Sequence, residues 1–171
     1  MPTFLINADF GWLLIMPTWQ LEVITANDLD SILAIDRLAF KRPWNRTLFL
    51  EELSCDKAFG YVVKGSRTDQ SLTIIAYVFW RMVLTELHII RIAVAPGFRS
   101  KGVATWLLQQ CFQLVRRKDF DSAYIEVRTS NIAAIGLYQK LGFYVIGTRP
   151  NYYPESREDA WVMRKQLKES I

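Results

Sequence analysis

Some segments of this chain alternate apolar and polar residues with the period of two that is typical of strands. Other segments, which lie between them, repeat apolar residues at the three- to four-residue spacing of a helix. A period of two, or a short apolar run, predicts strands over residues 20–25, 61–63, 72–84, 87–94, 122–127, 143–148 and 159–166. Helical spacing predicts helices over residues 29–38, 47–55 and 102–118, and a fourth that follows a cap at Ser130 or Asn131 and runs through Leu141. The resulting order, β-α-α-β-β-β-α-β-α-β-β, is typical of a mixed α/β layer fold.

The 171 residues are expected to form one domain, residues 18–171, preceded by an N-terminal extension, residues 1–17. The extension is apolar, but it lacks the basic start of a signal peptide and it carries Asp9. No apolar run in the sequence is long enough to cross a bilayer. A cytoplasmic protein without a membrane partner is therefore the expectation.

Composition excludes some kinds of chemistry. Hydrophobic residues make up 51% and charged residues 22%, which is ordinary for a globular protein. The formal charge of +4 is compatible with a nucleic-acid surface, but equally with a polyanionic cofactor. His88 is the only histidine, and the two cysteines, Cys55 and Cys111, lack the short spacing of a metal site, so no metal is expected. Cys111 shares an apolar helix face, which predicts a buried thiol; that face comprises Ala104, Leu107, Leu108, Cys111, Leu114 and Val115.

A candidate anion site joins the strand at residues 87–94 to the following helix. The connection reads Pro96-Gly97-Phe98, then Arg99-x-x-Gly102-x-Ala104. The start of a helix exposes amides without intrahelical partners, and its dipole adds partial positive charge, so this point suits a phosphate or pyrophosphate. Gly102 would let the backbone approach such a ligand closely. Neither a Walker loop nor a dinucleotide fingerprint is present, and an ordinary turn is the alternative.

Glu126 and Tyr138 are the candidates for acid–base chemistry. In the strand at residues 122–127, Ile125 and Val127 point to one face and Glu126 to the other. A carboxylate in a central strand is costly unless it is paired or hydrated. Glu126 is therefore either half of an ion pair with Arg91 or Arg128, or a general base at a cleft. Tyr138, on the helix after Asn131, either packs in the core or donates a proton to a charge that develops during a reaction.

Three blocks taken together resemble the Gcn5-related N-acetyltransferases, the GNAT family. They are Ile92-Ala93-Val94 with Arg99-x-x-Gly102-x-Ala104, Glu126-Val127-Arg128-x-Ser130-Asn131, and Leu137-Tyr138-x-x-Leu141-Gly142-Phe143. Two further blocks resemble the bacterial ribosomal-protein-alanine acetyltransferases, namely Phe40-x-x-Pro43-Trp44 and Asn151-Tyr152-Tyr153-Pro154 with Arg157-Glu158-Asp159-Ala160. The resemblance covers roughly residues 20–166 in the expected order. It implies a central mixed, mostly antiparallel sheet of six to seven strands flanked by about four helices.

The resemblance also implies a role for each matching residue. Acetyl-CoA would be the co-substrate, with its pantetheine arm along Ile92, Ala93 and Val94 and its thioester end near Asn131 and Tyr138. The pyrophosphate would be held by the loop and first helical turn, which comprise Arg99, Ser100, Lys101, Gly102, Val103, Ala104 and Thr105. Glu126 would be the general base, acting directly or through water, and Tyr138 the general acid that protonates the coenzyme A thiolate.

The implied acceptor is the N-terminal α-amine of a protein, the alanine of a small-subunit ribosomal protein, with no direct binding of nucleic acid. Trp44, Tyr152 and Tyr153 fall in predicted loops, where they would either pack under those loops or line a groove for an extended peptide end. Arg42 adds a cation to the Phe-Pro-Trp segment. The alternatives are acetylation of a small amine and a non-catalytic module that binds acyl-CoA or RNA.

Overall fold

A computed structural model describes residues 19–66, 71–115 and 120–168. The elements follow the predicted order, with two added 3-10 turns, Ala26–Asp28 and Pro96–Phe98. The strands are β1 (Gln20–Val23), β2 (Ala58–Gly65), β3 (Thr73–Val83), β4 (Glu86–Val94), β5 (Ser122–Arg128), β6 (Tyr144–Tyr153) and β7 (Glu158–Gln166). The helices are α1 (Leu29–Ala39), α2 (Arg46–Ser54), α3 (Val103–Val115) and α4 (Ile132–Lys140). The predicted extension, residues 1–17, and the basic end of the third predicted helix, residues 116–118, lie outside the described residues.

Seven strands form one sheet in the order β1-β2-β3-β4-β5-β7-β6. All neighbours are antiparallel except β4 and β5, which run parallel. The mixed, mostly antiparallel sheet of six to seven strands with four helices is thereby confirmed. The parallel pair is short, because its register ends at Ile89 opposite Ile125. The two strands continue past that point without pairing to each other.

Each face of the sheet carries its own apolar cluster. One cluster combines α3 and α4, which carries Tyr138, with buried side chains of the middle strands, including Ile125 and Val127. The other combines α1 and Phe49 of α2 with residues such as Tyr77 and Ala93. As predicted, Ile125 and Val127 are buried while Glu126 points to the opposite face and is only partly covered.

The buried stripe of α3 differs slightly from the predicted one. Leu107, Leu108, Cys111 and Val115 are buried as expected, but Leu114 is 49% exposed. Val103, at the first position of the helix, is buried instead. Val103, Leu107 and Cys111 repeat at four-residue steps along one face, so the buried stripe reaches back to the first residue of the helix.

One local prediction about a loop needs correction. Tyr152 and Tyr153 do not lie in a loop, because β6 extends to Tyr153, which pairs with Glu158 of β7. Irregularities in the register between Arg149 and Tyr153 accommodate Pro150 and the positive φ of Asn151, and these residues made the strand look interrupted in the sequence.

The cap of α2 is Asn45, whose side chain accepts a hydrogen bond from the Leu48 amide.

Candidate active site

The candidate site is built around the gap between β4 and β5. Beyond Ile89, β4 shifts its register against β3 by one residue, which is a bulge that bends the strand. Ile92, Ala93 and Val94 pair with β3 on one side, and on the other side no described strand pairs with them. Glu126 is the first residue of β5 beyond the last pair. The gap therefore exposes backbone amides and carbonyls along β4, with Glu126 at its mouth.

The loop from β4 to α3 closes one end of this gap. Ser100 and Gly102 both have positive φ, 58° and 85°, which turns the chain sharply before α3 begins at Val103. The first intrahelical bond runs from the Trp106 amide to the Gly102 carbonyl, at 2.9 Å. The amides of the preceding turn lack intrahelical partners. A Cβ atom at Gly102 would meet only the Trp19 ring, at 4.0 Å, so the space beside this backbone is open.

The side chains of this loop are mostly engaged with the protein itself. Arg99 donates to the carbonyl oxygens of Val94, at 3.0 Å, and Leu38, at 3.4 Å. The Lys101 ammonium lies 5.5 Å from the centre of the Phe98 ring. The Val103 side chain is in the core, whereas Ala104 and Thr105 are half-buried in the first turn. The loop therefore offers an anion chiefly its backbone amides and the dipole of α3.

Glu126 forms an ion pair, but with neither of the two arginines suggested by the sequence. Its Oε1 lies 3.2 Å from the guanidinium of Arg149 on β6, and its side chain is 20% exposed. Arg91 is instead paired with Asp36, and Arg128 with Glu155 and Glu158. The predicted partners were therefore wrong, although the carboxylate is paired as one interpretation required; it also borders the gap, and its role as a general base stays a prediction.

Tyr152 and Tyr153 lie beside Glu126. The Tyr153 hydroxyl donates a 3.4 Å hydrogen bond to the Glu126 carbonyl oxygen, and the Arg128 guanidinium sits 3.7 Å above the Tyr153 ring. The Tyr152 ring lies edge-on to Tyr153, with 5.1 Å between centroids, and 43% of it is exposed. Burial is the main reason that the pKa of Tyr153 is raised to about 12, so the phenol stays neutral at physiological pH.

Tyr138 is buried in the cluster of α3 and α4, with its ring 5.7 Å from Phe143. Its hydroxyl makes no hydrogen bond to another residue within the described ranges. Burial, and secondarily the Tyr153 phenol, raise the pKa of Tyr138 well above its ordinary value. Tyr138 packs on the face of the sheet that carries Ile125 and Val127, whereas Glu126 points to the opposite face.

Asn131 caps α4, because its Oδ1 accepts a 3.2 Å hydrogen bond from the Ala134 amide. This settles the cap that the sequence left open between Ser130 and Asn131. The Ser130 amide instead donates to the Glu158 carboxylate at 2.8 Å. Glu158 also contacts Arg128, and these contacts lower its pKa to about 2.

A buried network on the other side of the gap fixes the segment of residues 40–45 between α1 and α2. Asp36 is fully buried and accepts hydrogen bonds from the Tyr77 hydroxyl, the Trp44 amide at 2.7 Å, and Arg91 Nε and Nη2 at 2.7 and 2.8 Å. The Arg91 guanidinium is stacked on the Phe40 ring at 3.6 Å. The Trp44 ring is half-buried, 5.2 Å from the ring centre of Phe49. The backbone of this segment is thereby held in place.

One ion pair joins this segment to the turn between β6 and β7. Arg42 Nε lies 3.6 Å from Glu155, and Glu155 is also bound by Arg128. Arg128 donates further to the Ser156 hydroxyl at 2.6 Å. Arg42, Glu155 and Arg128 thus connect the segment of residues 40–45 to the β6–β7 turn. This connection lies on the face of the sheet to which Glu126 points.

Cys111 is a buried thiol, as predicted, and burial raises its pKa to about 12. Such a thiol is not a nucleophile at physiological pH. Within residues 19–66, 71–115 and 120–168, no cluster of three or more His, Cys, Asp or Glu side chains has the arrangement of a metal site. Over the same ranges, no helix is both long and apolar enough to span a membrane.

Asp36, Arg149 and Glu155 were missed by the sequence reasoning. Asp36 carried one usable signal, because it falls at a helical step of four from Ile32, on the apolar side of α1. Arg149 had no such signal, because the predicted strand of residues 143–148 ends just before it. With β6 extended, the register places Arg149 opposite Ala160 and Ala160 opposite Arg128, which sets Arg149 near Glu126.

Comparisons with known proteins agree with this fold. The family model described as acetyltransferase (GNAT) family matches residues 29–143. The ribosomal protein bS18-alanine N-acetyltransferase of Escherichia coli (strain K12) is 30% identical over 142 residues, covering 82% of this chain and 92% of that protein. The N-alpha-acetyltransferase of Saccharolobus solfataricus is 30% identical over 154 residues, covering 82% of this chain and 89% of that protein.

Among solved structures, the ribosomal-protein-S18-alanine N-acetyltransferase from Escherichia coli superimposes with a TM-score of 0.79 at 26% identity. The alignment covers 90% of this chain and 97% of that one. The similarity therefore extends over most of the length of both chains.

Proposed function

This chain belongs to the GNAT family of acetyltransferases, and from that premise we propose that its acceptor is the N-terminal α-amine of a protein. The amine is that of the first alanine of a small-subunit ribosomal protein. The names of the similar proteins from Escherichia coli support this choice of acceptor. The donor is acetyl-CoA, in keeping with the family.

The observation that carries the proposal is the position of Glu126 between two connected walls. On one side, Asp36 holds the segment of residues 40–45 through the Trp44 amide. On the other side, Tyr152 and Tyr153 end β6, and Glu155 in the following turn reaches back to Arg42. A site bordered by these two segments and their aromatic side chains suits an extended peptide end better than a compact small amine.

The residues along β4 and the following loop fit acetyl-CoA. The unpaired edge at Ile92, Ala93 and Val94 offers hydrogen-bonding groups to an extended, amide-containing pantetheine arm. The open space beside Gly102 and the amides at the start of α3 fit a pyrophosphate. Bound acetyl-CoA supplies an acetyl group activated as a thioester.

Glu126 is proposed as the general base. An α-amine has a pKa of about 7.7–8.0, so at neutral pH most of the acceptor is an ammonium and must lose a proton before it can attack. Glu126 accepts that proton, directly or through one water, at the mouth of the gap. The C–N bond of the new amide then forms as the C–S bond of the thioester breaks.

Tyr138 is proposed as the proton donor to the departing sulfur. Its raised pKa keeps the phenol protonated at neutral pH, which a donor requires. The attacking nitrogen releases a second proton when the amide forms, and this proton restores the phenol. Asn131 caps the helix that carries Tyr138 and lies next to the Ser130–Glu158 contact. These contacts fix the start of that helix.

The direct test is an assay of coenzyme A release with a panel of peptides that differ only in the first residue. Small amines such as spermidine and free alanine serve as alternative acceptors. We expect the alanine peptide with the ribosomal protein's own N-terminal sequence to give a kcat/KM at least about ten-fold above the other acceptors.

The same assay distinguishes the alternatives. A small amine that outperforms every peptide would replace the proposed acceptor with a small-molecule substrate. Absence of product with any amine, despite acetyl-CoA binding, would indicate a binding module. For an RNA-binding module, RNA affinity would fall steeply as salt is raised.

A further inference from the structure

Arg149 makes a direct contact with the proposed general base. β6 carries Arg149 opposite Ala160 of β7, and Ala160 is in turn opposite Arg128 of β5. Directly paired residues share a face of the sheet, so Arg149 lies on the face of Glu126 and Arg128. Ala160 is fully buried, and the Arg149 side chain extends past it to Glu126 Oε1, at 3.2 Å.

The contact engages only one of the two carboxylate oxygens. Oε2 of Glu126 makes no hydrogen bond to the described part of the chain. It is also not among the buried polar atoms that lack a partner there, which are Glu52 Oε2 and Trp80 Nε1. One oxygen of the base is therefore held by a cation, and the other is open to solvent.

Arg149 is itself oriented by its surroundings. Its guanidinium lies 5.5 Å from the centre of the Tyr152 ring, and the neighbouring Asn151 amide donates to Asp159 at 2.8 Å, which fixes the bend of β6. The other nearby cation, Arg128, is occupied by Glu155 and Glu158. Arg149 is thus the cation that faces Glu126 among the described residues.

We propose that Arg149 is a positioning residue for the acetyl transfer, which holds Oε1 of Glu126 so that Oε2 is presented to the acceptor amine. This inference rests on the proposed role of Glu126 as base. A glutamate side chain that is free to rotate would spend much of its time in orientations from which it cannot take the proton, and orientation of the reacting groups is a large part of catalysis. The Arg149 side chain is 56% exposed, and an ion pair this exposed contributes little to folding. Its removal should therefore change turnover more than stability.

The test compares Arg149→Ala and Arg149→Lys with the unaltered protein in steady-state assays with the alanine peptide. We expect Arg149→Ala to lower kcat about three- to ten-fold, less than loss of the base itself. The KM for acetyl-CoA and the melting temperature should stay unchanged, and Arg149→Lys should restore part of kcat. The matched control is Lys64→Ala, which removes a cation whose ion pair with Glu22 joins β1 and β2 at the far edge of the sheet. This control should retain full kcat.

A double-mutant cycle with Glu126→Gln separates positioning from other effects. If Arg149 acts through Glu126, Arg149→Ala should lower kcat less than about two-fold further in the Glu126→Gln background. An equal fold-loss in both backgrounds, or full activity of Arg149→Ala, would overturn the inference. Full activity of Glu126→Gln alone would instead overturn the proposed role of Glu126, so the two failures are distinguishable.

Discussion

Replacement of Asp36 by asparagine tests the network that holds the segment of residues 40–45. The carboxylate is fully buried and accepts four hydrogen bonds, two of them from Arg91, whose side chain is only 11% exposed. An asparagine has one acceptor oxygen, and its NH2 group would face the donors of Arg91. The guanidinium would remain buried without a counterion.

Breaking a buried ion pair by removing one partner costs about 3–5 kcal/mol, and we expect Asp36→Asn to lose that much free energy of unfolding. This is a large share of the 5–15 kcal/mol, roughly, that a domain of this kind has in total. Urea denaturation followed by circular dichroism would measure it as a lower midpoint at unchanged slope. The Trp44 amide also loses its acceptor, so the KM for the acceptor peptide should rise more than the KM for acetyl-CoA.

The control is Arg91→Met, alone and combined with Asp36→Asn. The double variant has no unpaired buried charge, so its loss should be smaller than the sum of the single losses by at least about 1 kcal/mol. A loss below about 1 kcal/mol for Asp36→Asn, or strictly additive losses, would refute the reasoning that this network is a coupled buried unit.

Three further predictions concern the gap and its surroundings. Tyr138→Phe should lower kcat about ten-fold or more while calorimetry shows near-normal acetyl-CoA binding, and unchanged turnover would remove Tyr138 from the mechanism. The KM of Gly102→Asp for acetyl-CoA should be at least about five-fold higher than that of Gly102→Asn. Both substitutions strain the positive φ, but only the aspartate repels the pyrophosphate, so equal KM values would contradict this prediction. The pKa of Glu158 is lowered from 4.5 to about 2, so its contribution to stability is complete above pH 4.5 and is lost as the pH falls towards 2. Glu158→Gln should therefore reduce the fall in melting temperature over that range, and an unchanged pH dependence would contradict the assignment.

Local patterns predicted the elements of this fold well. The alternation around Ile125 and Val127 correctly assigned the opposite face to Glu126, and the helical stripe correctly buried Cys111. These features depend on neighbours in sequence, which a pattern records directly. Leu114 has the helical spacing of that stripe but is exposed, because spacing identifies a face of the helix and not how far the rest of the fold covers its last turn.

The ion pairs of the site could not be predicted in the same way. Asp36 and Arg91 are 55 residues apart, and Glu126 meets Arg149 across an intervening strand. Such partners are set by strand order and register, which the sequence does not show until every strand is bounded correctly. Pro150 and Asn151 looked like the end of a strand, although β6 continues through them with an irregular register. Arg149 and Glu155 were missed because their contacts depend on the pairing of β6 with β7 and on the turn between them, whereas Asp36 was missed because its partners lie on β3, on β4 and before α2.

The most direct test of the central claim is the rate of acetyl transfer to the alanine peptide by Glu126→Gln, with acetyl-CoA affinity measured on the same preparation. The account predicts that kcat falls about ten-fold or more while the affinity stays within about two-fold of the unaltered protein. A variant that retains full kcat would contradict the account, because the carboxylate at the mouth of the gap would then have no part in removing the acceptor's proton.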